Sequence, residues 1–571
     1  MAGRDVARQS DLKDPGPTIA LAAMGLAIAS TLAVWGCVSL GEKITPSGQD
    51  VPGNPAVAVI DLAQGQVQWT TGATVCAVVL VLALVAAVFI AAALVGRRRA
   101  GKTRIDKVTK NLAGRRDVKS LSTKAVAKAN QSRGDAVAAT GVYIGREVGT
   151  GTDLWGGWED LQLDLWGPRQ GKTTSKVVPM ILRAPGTVIA TSCKRDVLDT
   201  TIAHRTGFGR VWVFDPQDKA TGLDTSDWYF DPLDFVRRTQ WWDGNAAELA
   251  SIFDASARID SGGDSTNAYF YQQATDLLAG LFVAATLDDR PITDVYAWVS
   301  DPTDTTAVKR LSSSQWDLLA ADVASKYNAE PRTKSNVFSA AKNMISCLGR
   351  KQIARWMTPR AGADRFSPEM FAAADNETLY LLTDDENPVA RPATSVLTVA
   401  VFKALVDRSD GYPRSRLPVP VSAPLDEIAN VVAWPALPNH YSTWGSRGII
   451  ADAILQSYSQ GVELWGETGM RKLFSAASIV VVGPGQKDYE FVDRLSNLIG
   501  THTEVQRSIS YNRGDGGRSI STSKVERQTI TAAELSALPQ GRMIVLAVGR
   551  RPMLARMVGW QDQDYTLRKV A

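Results

Sequence analysis

Residues 165–174 read LWGPRQGKTT. A glycine, lysine and threonine at the start of a helix can hold polyphosphate. Gly171 lets the backbone come close, the first N–H groups of the helix point at the anion, and the helix dipole adds positive charge. Lys172 can neutralise the β- and γ-phosphates, and the Thr173 hydroxyl can ligate Mg2+. The usual spacing is G-x-x-x-x-G-K-[ST], which puts the first glycine at 166. That position is Trp166, and Gly167 comes one residue late. The stretch is thus a shortened phosphate loop of Gly167, Pro168, Arg169, Gln170, Gly171, Lys172, Thr173 and Thr174, or a chance Gly-Lys-Thr in a turn.

Three further features bear on the choice. Asp426-Glu427 closes the apolar run Val419 to Leu425. Acids at the C-terminal end of such a strand lie at the edge where ligands of open α/β sheets bind. Asp426 can hold Mg2+, and Glu427 can orient and polarise an attacking water. Gln456 ends the run Ile449 to Leu455, where a glutamine can touch the γ-phosphate or that water. Arg447 and Arg391 are candidates for the arginine finger that ring ATPases receive from a neighbouring subunit. The plainer alternatives are a solvated helix start for the acids, a strand cap for Gln456 and surface roles for the arginines.

These residues need elements to position them. Leu161 to Leu165 alternates like a strand, and Thr174 to Arg183 reads as a helix with Pro179 as a kink. Thr187 to Thr191 and Arg210 to Asp215 are β-rich runs. Strand, loop, helix, strand predicts an α/β fold with a parallel sheet covered by helices. Between Gly244 and Trp356 strand signals nearly vanish. Helical patterns cover Ala246–Ile259, Tyr269–Thr286, Thr305–Tyr327 and Thr333–Leu348, which reads as an inserted all-α domain. Strands return at Thr378–Leu382, Val419–Leu425, Ile449–Leu455, Ser478–Val482 and Met543–Val548. Ser508 to Ser523, rich in Ser, Gly and Arg, reads as a flexible excursion.

The chain of 571 residues exceeds one core, so two or three domains are expected. A net charge of +4 does not by itself imply a nucleic-acid partner. Its four cysteines form no C-x-x-C pair, and with three histidines no zinc cluster assembles by spacing. Two runs, Ile19–Leu40 and Ala73–Val95, are apolar and long enough to cross a hydrocarbon core of about 30 Å as helices. Between Arg97 and Lys119 there are ten Lys/Arg against two acids. That bias places the end of the second span inside. The expected protein sits in the cell membrane with two spans, and both termini and the large body are cytoplasmic. Its segments are an N-terminus (1–17), a membrane hairpin (18–96) and a basic juxtamembrane linker (97–140). A nucleotide-binding domain follows in two parts (141–243 and 358–571), interrupted by the all-α domain (244–357).

Together these motifs resemble the type IV secretion coupling proteins, the TraG/TraD-like conjugative DNA-transfer ATPases related to FtsK and HerA. The resemblance is carried by GPRQGKTT (167–174), VVPMILRAPGTVIATSCKRDVLD (177–199), LDEIANVVAWPALPNHYSTWGSRGI (425–449), LQSYSQ (455–460) and LPQGRMIVLAVGRRPMLARM (538–557). It implies a RecA-like P-loop ATPase on two transmembrane helices, hexameric when active. Such an ATPase uses ATP and Mg2+ to pass relaxase-bound, single-stranded DNA to the membrane components of a type IV secretion channel. By matching position, Lys172 and Thr173 bind nucleotide and Mg2+, Asp426 and Glu427 form the acidic pair, and Gln456 is the sensor. The helical domain supplies substrate recognition. Two alternatives stay open: a non-hydrolysing ATP-binding membrane receptor, and an FtsK-like motor for DNA or protein.

Overall fold

A computed structural model describes residues 15–99, 103–133, 137, 139–220, 222, 227–260, 268–511, 518–563 and 565. The chain divides into two compact units, Met1–Lys102 and Thr103–Ala571. In the first, helices Pro15–Ile44 and Thr71–Arg99 pack together and are joined through a short helix, Pro55–Ala63. The expected spans fall inside the two long helices. Glycine makes their contact possible: a Cβ on Gly41 would come within 2.3 Å of the Ala73 backbone nitrogen. Small residues at a crossing let helix backbones touch, a common packing mode in lipid. Met24–Ile44 is long and apolar enough to cross a membrane and is mostly exposed, and Thr71–Ala87 is apolar too. Pro388–Asp410 passes the same composition test, but it is a buried core helix of the second unit.

The second unit is built on an eleven-stranded sheet. Its order is β2 (Asp153–Gly156), β1 (Val142–Glu147), β15 (Met553–Arg556), β14 (Arg542–Ala547), β11 (Ile479–Val482), β3 (Gln162–Leu165), β10 (Ile449–Leu455), β9 (Val421–Leu425), β4 (Val188–Ser192), β8 (Thr378–Leu382), β5 (Val211–Phe214). From β11 to β5 neighbouring strands are parallel, and from β11 to β2 they are antiparallel. The parallel strands β3, β4, β8, β9, β10 and β11 are buried along their whole lengths, as strands covered on both faces must be.

Three segments differ from expectation. The basic run after the second long helix does not stay a linker. Helical turns Arg104–Asn111, Arg115–Ser120 and Thr123–Arg133 bury Ile105, Leu112, Val118 and Leu121. Asp106 pairs with Arg542 at 2.8 Å, so the run is fastened to the antiparallel edge. Apolar residues spaced among the basic ones drive this docking. Second, the helical region carries an additional helix, Ile292–Ser300, and the expected helix over 305–327 breaks into Thr306–Ser312 and Asp317–Tyr327. The two-residue strands β6 (Trp228–Tyr229) and β7 (Asp364–Arg365) pair where the chain enters and leaves that region. There Trp212, Phe214, Trp228, Trp356 and Phe366 stack at centroid distances of 5.0–5.8 Å, mostly edge to face. Third, the described parts of the expected Ser508–Ser523 excursion, 508–511 and 518–523, pair as strands β12 (Thr501–Tyr511) and β13 (Arg518–Gln528), antiparallel; 512–517 lie outside the described residues.

Candidate nucleotide-binding site

The shortened loop has a structural explanation. β3 ends at Leu165, and Trp166 continues the sheet by donating its backbone N–H to Leu455 at 2.9 Å. Its side chain is fully buried, and its indole N–H lies 3.3 Å from the Asp164 carboxylate. Gly483 makes room for the ring, because a Cβ there would come within 2.5 Å of it. Trp166 is therefore a core residue, and the loop begins at Gly167. The Gly167 N–H donates to Pro484 at 2.9 Å, and a Cβ on Gly167 would fall 2.7 Å from the Gly485 Cα. The close approach expected of the first glycine is thus made one residue later, against the Gly483–Gly485 loop.

The turn is tightened by two left-handed residues, Arg169 (φ 58°) and Gly171 (φ 84°). Space around Gly171 is open, since a Cβ would meet nothing nearer than 3.6 Å. Glycine is wanted there for its backbone conformation. Helix begins at Lys172, with Thr174 and Ser175 hydroxyls donating to the Gly171 carbonyl at 3.0 and 2.7 Å. Thr173–Val177 forms a π-turn before Pro179. Proline has no N–H to give residue 175, so the helix widens ahead of it. Pro168 and Arg169 are exposed, while Gln170 and Thr173 are half-buried.

Lys172 meets the acidic pair. Its Nζ lies 2.8 Å from Glu427 Oε1 and 3.0 Å from Asp426 Oδ1. All three side chains are about nine-tenths buried, at the C-terminal edge of β9. Glu427 is left-handed (φ 50°), which turns the chain sharply at the strand end. Gln456, following β10, donates from Nε2 to Glu427 Oε1 at 3.3 Å. Burial pushes the Asp426 carboxyl up; Lys172 pulls it down and Glu427 raises it again, leaving it at about 6. Burial also raises Glu427, but Lys172 and a hydrogen bond from the Cys193 thiol outweigh it, so Glu427 stays below the usual range. At neutral pH both acids are ionised against one ammonium. That surplus negative charge, two carboxylates against the single ammonium of Lys172, fits a divalent cation.

Of the residues singled out in the sequence, Lys172, Asp426, Glu427 and Gln456 come together. Arg447 does not. It precedes β10 at the other end of the sheet, about 20 Å away at roughly 3.3 Å per strand residue. There its guanidinium caps the helix Arg391–Asp410, bonding Ser409 and Asp410 at 2.6 Å. Arg391 is buried at the opposite end of that helix and donates to the Asn430 carbonyl at 2.9 Å, behind the acidic pair. Sequence reasoning did not single out Cys193 as a partner of Glu427, nor Gln486, whose Nε2 holds the Gln456 carbonyl at 3.1 Å. Both follow strands of the parallel sheet, β4 and β11, and that position is the one signal that could have found them.

A family model described as "Type IV secretory system Conjugative DNA transfer" matches residues 120–570. Among solved structures, the unbound monoclinic form of the bacterial conjugative coupling protein TrwBdeltaN70 shares 16% identity at a TM-score of 0.53, over 78% of this chain and 94% of that one. TrwB with the non-hydrolysable GTP analogue GDPNP shares 17% at 0.50, over 72% and 88%. TrwB with ADP and Mg2+ shares 15% at 0.50, over 72% and 87%. No curated protein matches. The structural likeness shows a common fold, and the sequence match over most of its length shows that the chain belongs to the type IV secretory system conjugative DNA transfer family.

Proposed function

We propose that this chain is a membrane-anchored ATPase that takes up a DNA substrate and drives it into a type IV secretion channel. The observation that carries the reading is Lys172 held between Asp426 and Glu427, with Gln456 on the same carboxylate. ATP with Mg2+, when bound, supplies a phosphoanhydride whose hydrolysis releases free energy. Gly167 to Thr174 would hold its phosphates through backbone N–H groups, and Thr173 and Asp426 would hold the metal. Lys172 brings positive charge to the start of the helix. Glu427, kept ionised, can accept a proton from water at its carboxylate. Gln456 fixes the rotamer of that carboxylate through its amide, and Gln486 fixes Gln456 in turn.

The rest of the reading extends from family and composition. The two apolar helices anchor the protein with both termini inside, and the basic flank supports that orientation. The helical segment 244–357 is the domain that receives a relaxase-bound single strand. Six copies form the working ring, in contact with secretion-channel components and lipid. The non-hydrolysing receptor reading is less favoured, because Glu427, the acid that would polarise water, is in place and ionised.

The test is ATP turnover by the full chain in lipid nanodiscs, with and without single-stranded DNA, over a range of salt. Turnover that DNA stimulates, with DNA binding that weakens steeply as salt rises, is the expected result. Nucleotide binding without turnover under any condition would favour the receptor. Turnover indifferent to DNA would favour a protein-substrate motor.

A further inference from the structure

One helical turn beyond Lys172 lies a second charged cluster that the site above does not use. Lys176 projects from the π-turn into the sheet, where its side chain is 1% exposed. Its Nζ lies 2.6 Å from Gln162 Oε1, 3.5 Å from Asp164 Oδ2 and 3.6 Å from Asp452 Oδ2. Both aspartates are fully buried on the adjacent parallel strands β3 and β10. Asp164 lies two residues before Trp166, where the phosphate loop leaves its strand, and Asp452 lies four before Gln456. The cluster therefore joins the three pieces of backbone that carry loop, helix and sensor.

Its charges do not balance. Two carboxylates and one ammonium leave a net negative charge in a fully buried site, which costs several kcal/mol. One proton removes it. The hydrogen bonds point the same way: among the described residues Asp164 Oδ1 and Asp452 Oδ1 have no hydrogen-bond partner, so no donor offsets a second ionised carboxylate. Burial raises both carboxyls, so the proton belongs to the pair; the Trp166 indole, which donates to Asp164, favours Asp164 as the ionised member. We propose that Asp164, Lys176 and Asp452 are positioning residues of the nucleotide site, tying the phosphate-loop helix to the sensor strand with one proton held between the two carboxylates. This rests on the ATPase reading above.

The groups facing Asp452 are Asp164 from β3, Lys176 from the helix and Tyr441, whose hydroxyl bonds the β10 backbone at 2.8 Å; Asp426 acts on Asp164 from β9. Burial and the Asp164 charge raise Asp452 to about 8 against the pull of Lys176. The sign follows. The folded state holds a proton that the unfolded chain releases near pH 4, so stability falls as pH rises from about 4 to 8 and then levels. Turnover that needs the proton falls about tenfold per unit above pH 8.

The experiment uses the full chain in nanodiscs. It records melting, nucleotide affinity and turnover from pH 5 to 10 for wild type, Asp452→Asn, Asp164→Asn and Lys176→Met. Either asparagine leaves one acid for one ammonium, so the alkaline fall in turnover and the pH slope of melting should both disappear. Lys176→Met should remain folded with nucleotide affinity lowered at least tenfold, a change that a merely space-filling lysine would not produce. Wild type and Asp452→Asn with the same pH profiles would overturn the proposal. So would both asparagine variants failing to fold at pH 7, or Lys176→Met binding nucleotide like wild type. If wild type lacks turnover at every pH, the ATPase reading fails by itself, and the melting slopes still decide the cluster.

Discussion

Lys172 and Lys176 stand one turn apart on the same helix, and each sits between two carboxylates. Their surroundings separate them. Lys172 meets Asp426 and Glu427 at 3.0 and 2.8 Å, on residues that follow a strand, with its side chain 10% exposed. Lys176 meets Asp164 and Asp452 at 3.5 and 3.6 Å, on residues within strands. At the strand ends, phosphate, metal or water can replace a protein partner, so the ion pair around Lys172 is exchangeable. Inside the sheet the side chains of Lys176, Asp164 and Asp452 are at most 1% exposed, and a proton settles the charges around Lys176. The same residue types thus make a reaction site in one layer and a tie in the next. Sheet position decides which, because it sets access to solvent.

Substitutions at and around the two lysines test this contrast. The largest effect is expected at Glu427: Glu427→Gln should lower kcat by about 10^2- to 10^4-fold while nucleotide still binds. Wild-type turnover in that variant would take Glu427 out of the chemistry. Next is Trp166→Gly, which restores the glycine of the usual loop spacing. The spacing alone promises a repaired loop. The structure predicts a loss of about 3–5 kcal/mol in stability, because the indole fills the core, and thermal melting reads the difference. A smaller effect concerns Mg2+. Asp426 sits at about 6, so it gains a proton as pH falls through that value. The Mg2+ needed for half-maximal turnover should then rise about tenfold per pH unit below 6, and Asp426→Asn should abolish that dependence. The smallest is Arg447→Ala, expected to cost about 1 kcal/mol by uncapping the helix Arg391–Asp410. A loss of turnover with melting unchanged would instead place Arg447 at a neighbouring copy's site.

Much of the parallel sheet was legible because its strands are short, apolar and followed by chemistry-bearing residues. Lys172, Asp426, Glu427 and Gln456 could be found as a set since Asp426-Glu427 and Gln456 directly follow such runs and Lys172 lies one short loop beyond another. The antiparallel edge was harder to see. Val142–Glu147 and Asp153–Gly156 carry weak alternation, and only pairing across the sheet makes them strands. The basic run after the second long helix reads as a solvated flank by charge count, yet four apolar residues within it dock on that edge. Trp166 reads as a defect in a motif because one-dimensional spacing does not show Gly483 across from it. Cys193 and Gln486 carry no signal beyond position. Lys176 looks like an ordinary helix lysine, and its burial follows from the π-turn and two strand aspartates far along the chain.

The central claim is that LWGPRQGKTT is a working phosphate loop one residue short. Calorimetric titration of the full chain with ATP and Mg2+, beside Lys172→Ala, tests it most directly. Saturable binding by wild type and at least a tenfold weaker affinity in the variant are expected, with both proteins folded. Equal affinity in the two, or no binding by a folded wild type, would contradict it.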